Sequence, residues 1–170
     1  QTYYISFDSF TEHLRWHRQA AKDLTHLNLK HNFLPADQTL LQLQRFSRLR
    51  SLNLSHNQLG SFPLPICSIS SLTEVNLSCN LLTSVHPDVG NMSHLQTLVL
   101  DGNLLSALPV ELGRLQRLVY LGLSFNEFTQ VPSVLEQLPA VERLCMAGNK
   151  VCVLTLQAFR LLTLKHIDLR

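Results

Sequence analysis

A chain of 170 residues is about one domain's worth, and 14 Lys and Arg against 12 Asp and Glu leave a net charge of +2, without the clustered basic surface of a nucleic-acid binder. A hydrophobic content of 45% excludes disorder, and polar residues interrupt every leucine cluster, so no apolar run approaches the roughly 20 residues of a membrane span. Leucine alone supplies 37 residues, about 22% of the chain. The opening QTYYISFDSF lacks the basic-then-apolar order of a signal peptide and has no initiator Met, as expected of a fragment. Cys67, Cys79, Cys145 and Cys152 are too dispersed for the disulfide framework of a small secreted domain, and are read as reduced, structural thiols of a cytoplasmic protein. Three N-x-S sequons, at Asn53, Asn76 and Asn91, oppose that reading only weakly.

Residues 1–22 come first and follow no repeat. TYYISF reads as an aromatic strand. A helix then begins at Asp8 or Ser9, with Glu12 three residues after Ser9 as in a capping box. Phe10, Leu14 and Ala21 share one face, with Trp16 and Ala20 near its edge. His13, Arg15, His17, Arg18 and Lys22 make the helix mildly basic, which is read as a solvated face. A last strand followed by a Trp-bearing helix resembles the end of a pleckstrin-homology domain.

From residue 23 the chain repeats. LTHLNLKHNFL starts at Leu24, and similar segments start at Leu49, Leu72, Leu95, Leu118 and Val141. A seventh, LKHIDLR, starts at Leu164. The first step is 25 residues and the other five are 23. Six matches to L-x-x-L-x-L-x-x-N-x-L at this period resemble the leucine-rich-repeat family over residues 24–170. The pattern predicts an α/β solenoid: a curved parallel sheet on the concave side, with short helical or irregular return segments, six full repeats and the start of a seventh. In each L-x-L the leucines face inward, as Leu52 and Leu54 do, while Ser51, Asn53 and Ser55 face out. Seven strands about 4.8 Å apart span about 29 Å, and no coil buries its apolar side alone.

Asn32, Asn57, Asn80, Asn103, Asn126 and Asn149 recur where the chain leaves the strand. A side-chain amide both donates and accepts, so the column is read as a structural ladder satisfying turn backbone in its own and neighbouring coils. Asn103→Leu is expected to cost roughly 1–3 kcal/mol. In the returns, Pro109 and Pro132 suit the first turn of a short helix or an irregular segment, with Leu112 and Leu115, like Leu135 and Leu138, on one helical face. This 23-residue form with its Pro resembles the intracellular subclass of leucine-rich repeats. The first return carries two extra residues, predicting a longer helix or a bulge, and the sixth lacks the Pro and is expected to differ in shape.

The outward positions of the first three repeats are polar: His26, Asn28, Lys30, Ser51, Asn53, Ser55, Glu74, Asn76 and Ser78. Further along, Val99, Gly122 and Cys145 fall in one column, with Tyr120 beside them and Phe125 at a strand exit. Gly122 is expected to leave a shallow pocket between Val99 and Cys145. These five residues form the candidate protein-binding site, set against the alternative of scattered exposed apolar side chains.

No chemistry-bearing motif competes. There is no G-x-S-x-G, Walker or dinucleotide glycine pattern. Asp101-Gly102 is the single Asp-Gly, and Asp101 is read as an ordinary exposed residue because the carboxylates form no cluster. His13 and His17 have a two-ligand spacing without a third ligand. His31, His56 and Cys79 share a column, but the outer two would stand about 10 Å apart, too far for one zinc ion. A neighbouring pair offers two ligands where structural zinc wants four. No catalytic residue, cofactor or metal is assigned.

A pleckstrin-homology ending followed by DLTHLNLKHNFL, YLGLSFNEFTQVPSVLEQLPAVERLCMAGN and LKHIDLR resembles the PH-domain leucine-rich-repeat protein phosphatases. That resemblance implies a cytoplasmic signalling protein, peripheral to membrane in its longer parent. It also implies a metal-dependent serine/threonine phosphatase domain acting on Akt and protein kinase C. The family has more repeat sequence between AAK and DLTHL, a join that falls here at Lys22–Asp23. The expected function is a non-catalytic interaction scaffold for protein partners such as kinases or scaffold proteins, with no turnover of a phosphopeptide in manganese or magnesium. Alternatives are a fragment of the phosphatase enzyme itself and a secreted recognition protein. The uncapped last repeat is expected to self-associate or fray over residues 151–170.

Overall fold

Alternating leucines give each repeat a three-residue strand with its central side chain turned inward. In the computed structural model, which describes residues 2–4, 22–34, 38–156, 158, 160–161 and 166–170, these strands build one sheet. They are β1 (Thr2–Tyr4), β2 (His26–Asn28), β3 (Ser51–Asn53), β4 (Glu74–Asn76), β5 (Thr97–Val99), β6 (Tyr120–Gly122), β7 (Arg143–Cys145) and β8 (His166–Asp168). All eight are parallel and stand in chain order. The register is strict: Leu27, Leu52, Val75, Leu98, Leu121, Leu144 and Ile167 lie opposite one another. β1 confirms a strand at the start of TYYISF, and it pairs Thr2 with His26, so the sheet runs across the 22/23 boundary. The expected helix with Phe10, Trp16, His13 and His17 lies outside the described residues.

The return segments make the second wall. The first is the longest, an α-helix α1 (Gln38–Leu41) continuing as a 3-10 turn η1 (Gln42–Arg45), which absorbs the two extra residues. Four coils then return through 3-10 turns: η2 (Leu64–Ser68), η3 (Pro87–Asn91), η4 (Val110–Arg114) and η5 (Ser133–Gln137). The sixth return is different, with Leu156, Ala158, Arg160 and Leu161 helical. Pro109 and Pro132 do not sit in the first turn. They precede it as extended N-cap residues at φ −70° and −61°, where the ring fixes the φ that launches the turn. Leu112, Leu115, Leu135 and Leu138 are buried as expected.

Between the two walls runs one continuous apolar core, filled mainly by leucine, with Phe46 and Phe128 its largest fully buried side chains. Adjacent returns approach closely where the chain has glycine. A Cβ on Gly90 would stand 2.6 Å from the carbonyl oxygen of Glu111 and 3.2 Å from Arg114 Cδ, so η3 and η4 would have to separate. Gly90→Ala is expected to destabilise by about 1–3 kcal/mol. A urea midpoint unchanged from the parent would show that the two turns give way freely.

Candidate functional site

Turning the leucines inward leaves two columns of side chains on the outer face of the sheet. One reads His26, Ser51, Glu74, Thr97, Tyr120, Arg143, His166, and the other Asn28, Asn53, Asn76, Val99, Gly122, Cys145, Asp168. The second column has a structural task that the sequence does not announce. Asn28, Asn53 and Asn76 each accept, through Oδ1, the backbone N–H two residues on, at 3.0, 2.9 and 3.0 Å. Asn53 and Asn76 also accept the hydroxyls of Ser55 and Ser78 at 2.6 and 2.7 Å. Ser55 is 3% exposed and Ser78 half-buried, which corrects the assignment of Ser55 to the exposed face.

The column changes at Val99 and Gly122. Gly122 has no side chain to hold the N–H of Ser124, and Asp101 from the preceding coil reaches over instead, accepting it at 3.0 Å. A Cβ on Gly122 would meet Asp101 Oδ1 at 2.7 Å and Tyr120 Cε1 at 3.3 Å. Gly122 is therefore buried, and the shallow pocket expected above it is absent because a carboxylate and a ring edge occupy the space. Asp101 is likewise not an ordinary exposed residue. It is half-buried, and loss of solvent raises its pKa against the opposing hydrogen bond from Ser124. The legible signal was the absence of Asn at 122 combined with an acid one coil earlier.

What remains of the candidate patch is a ridge rather than a pocket. Tyr120 donates its hydroxyl to Cys145 Sγ at 3.6 Å across one coil, and the Arg143 guanidinium lies 5.6 Å from its ring centroid. Val99 and Cys145 are partly exposed beside it. Phe125 stands at the strand exit, 67% exposed, at φ 55°, with its ring against Gly148. The structure thus brings Tyr120, Cys145 and Gly122 together, with Val99 beside them in register and Phe125 at the margin. A hollow of about 800 Å³ at the last coil is lined by the inward Leu144, Ile167 and Leu169 as well as by Arg143 and His166. Cys145, Asp168 and Arg170 complete its lining, so outer-face and core-facing side chains both border it.

The hydrogen bond to Cys145 is the main reason Tyr120 holds its proton, with burial and the nearby Cys145 and Asp101 adding to it against Arg143; its pKa is pushed up to about 12. Replacing Cys145 with Ala is expected to return the Tyr120 phenol toward its ordinary pKa. Phenolate absorbance followed through alkaline titration checks this, and identical curves for parent and variant would show that no such bond forms.

The asparagine ladder is as expected. Asn57, Asn80, Asn103 and Asn126 are buried and Asn32 and Asn149 half-buried. Asn57, Asn80, Asn103, Asn126 and Asn149 each donate to carbonyls of their own and the preceding coil, as Asn80 does to Leu77 at 3.1 Å and Leu54 at 2.9 Å. Asn80 Oδ1 accepts the N–H of the rung before, that of Asn57, at 2.9 Å. Among the described residues no buried side-chain nitrogen or oxygen is left without a partner. All four cysteines are free; Cys67 is buried, and burial followed by the charge of Asp88 pushes its thiol up to about 12. No helix among the described residues is long and apolar enough to cross a membrane.

Comparison with known proteins places this geometry. The family described as leucine rich repeat matches residues 70–128 and 93–151, and its two-copy form matches residues 47–89. PH domain leucine-rich repeat-containing protein phosphatase 1 of Mus musculus is 62% identical over 204 residues, covering 100% of this chain, and its Homo sapiens counterpart is 61% identical over the same span. The chain spans 12% of the length of these relatives. Among solved structures, a leucine-rich-repeat protein of Leptospira interrogans superposes with a TM-score of 0.71 at 27% identity, over 92% of this chain and 45% of that one. Internalin C2 of Listeria monocytogenes superposes with a TM-score of 0.69 at 22% identity, over 85% of this chain and 59% of that one, and shares the fold. A plant peptide hormone receptor, RGFR1 in complex with RGF2, gives a TM-score of 0.64 at 23% identity, over 79% of this chain and 22% of that one.

Proposed function

Because this chain belongs to the leucine-rich-repeat family and matches, over its whole length, a repeat region of the PH domain leucine-rich repeat protein phosphatases, we propose that it is a non-catalytic protein-interaction segment whose partner docks on the outer face of the sheet. The observation that carries this reading is the change of character along that face. Coils one to three present the polar His26, Ser51 and Glu74, whereas coils four to six present Val99, Tyr120, Cys145 and Phe125. A half-buried Tyr held by a neighbouring thiol and guanidinium loses little conformational freedom on binding, as suits an interface anchor. In the longer parent, the array would present kinase-class partners such as Akt and protein kinase C to a catalytic domain, in the cytoplasm or at a membrane surface. Residues 1–22 are read as the end of a pleckstrin-homology-like unit leading into the array at 23–170.

The test uses a partner recovered on the immobilised chain and its affinity for variants. Tyr120→Ala is expected to weaken binding by about 2 kcal/mol or more while leaving thermal stability close to the parent's. Glu74→Ala, exposed on the same face four strands from the chain start, serves as the control, since Ser55 is buried. Equal and small losses at both positions would reject the patch.

A further inference from the structure

The strand-entry edge of coils one to three is not absorbed by this reading. A hollow of about 550 Å³ opens there, lined by Thr25, His26, Ser47, Arg48, Arg50 and Ser71. The sheet fixes its frame. Thr25 O accepts the N–H groups of Arg50 at 2.8 Å and Ser51 at 3.0 Å, and Arg50 O accepts those of Thr73 at 2.8 Å and Glu74 at 3.0 Å. Arg48 and Arg50 flank the buried Leu49, so both arginines are left at the surface, where they border the same hollow.

The lining is rich in donors. Among the described residues Arg50 makes no ion pair, and Arg48 has only Asp23, at 3.5 Å between two exposed side chains. A contact of that length at the surface holds a guanidinium loosely. Thr25 Oγ1 and His26 Nδ1 are 2.8 Å apart. If the ring nitrogen accepts, the neutral imidazole carries its proton on Nε2; if it donates, the Thr25 hydroxyl keeps its own hydrogen. Either way one donor remains. Ser71 donates its hydroxyl to Leu49 O at 2.5 Å, while Ser47 is exposed and adds a hydroxyl of its own.

We propose that this hollow binds the phosphoryl group of a phosphorylated serine or threonine on a partner protein. Such a group carries about two negative charges and three acceptor oxygens. Two guanidinium forks and a hydroxyl match it, whereas a carboxylate is filled by one fork. A membrane surface is a poorer match. Anionic lipid is read by clusters of about four to eight Lys and Arg, and here two arginines stand with Asp23 and Glu74 beside them. Those acids keep the affinity modest and favour a doubly charged group over a singly charged one. The site is separate from the patch on coils four to six and does not rest on it.

The experiment titrates the full chain with the end-capped peptide Ala-Ala-pSer-Ala-Ala and follows backbone amide signals. Shifts are expected to centre on residues 25–26, 47–50 and 71, and to be absent with the unphosphorylated peptide. Arg48→Ala and Arg50→Ala are each expected to weaken binding about tenfold. Arg117→Ala, three coils on at the place in the repeat that Arg48 occupies, is expected to leave it unchanged. Asp23→Asn removes the competing carboxylate and is expected to tighten binding, a gain that a damaged fold could not produce. No shift at millimolar peptide, shifts centred elsewhere, or equal losses at all three arginines would overturn the site. Inorganic phosphate binding more tightly than the peptide would make it a free-anion site, and capture by phosphatidylserine vesicles without peptide binding would make it a lipid contact. Either result would overturn the assignment to a protein partner.

Discussion

Asn103→Leu is expected to lower stability by about 3 kcal/mol or more, beyond the 1–3 kcal/mol of a single unpaired group. Asn103 Nδ2 donates to the carbonyls of Leu77 at 3.0 Å, Leu100 at 2.9 Å and Asp101 at 3.4 Å. Its Oδ1 accepts the N–H groups of Asn80 at 2.9 Å and Leu82 at 3.1 Å. The residue is 3% exposed, so water cannot replace these partners without opening the coil. Leucine matches the side chain in size but leaves the amides of Asn80 and Leu82 without their acceptor. At roughly 2–4 °C per kcal/mol for a chain of this length, the melting temperature should fall by about 6–12 °C. A fall of a degree or two would mean that the coils are held by leucine packing alone.

Phe128→Ala should cost about 3–5 kcal/mol, the range for emptying an aromatic site in a close-packed core. Phe128 is fully buried at a position where the other coils carry Leu34, Leu59, Leu82 and Leu105. The sixth such position, Val151, is only partly buried. Phe128→Leu restores the residue type of the neighbouring coils and should cost less than about 1.5 kcal/mol. Guanidinium denaturation of the pair separates the two outcomes. Similar losses for Ala and Leu would mean that the site depends on the aromatic ring itself and not on the volume it fills.

The strands, their register and the asparagine ladder were all legible, because each depends on spacing along a single chain. A 23-residue period places Leu52, Val75, Leu98 and Leu121 opposite one another as soon as the strands pair. Features set by two coils at once were hidden. Asp101 reaching Ser124 depends on Gly122 having no side chain, whereas the burial of Ser55, bonded to Asn53 two residues before it, lies within one coil. The left-handed residue before each ladder Asn was masked because glycine marks it in only two of six coils, at Gly102 and Gly148, while His31, His56, Cys79 and Phe125 take the same conformation. Pro109 and Pro132 were misplaced by one residue because a 3-10 turn takes its Pro before the turn as readily as within it, as Pro87 does.

The candidate binding patch was legible as a set of residues but not as a shape. Val99, Gly122 and Cys145 share a column as the spacing requires. The pocket inferred from Gly122 gave way to a ridge, since Tyr120 and Asp101 close over it. The proposed contact is therefore a ridge, with Tyr120 and Phe125 on the outer sheet face of coils four to six, suited to a concave or flexible partner surface.

A photo-reactive side chain placed at Val99, on that face, and another at Val110, 79% exposed at the start of η4 on the opposite wall, test the placement most directly. A bound partner is expected to crosslink strongly from position 99 and negligibly from position 110. Crosslinking from position 110 with none from position 99 would put the partner on the return segments and contradict it.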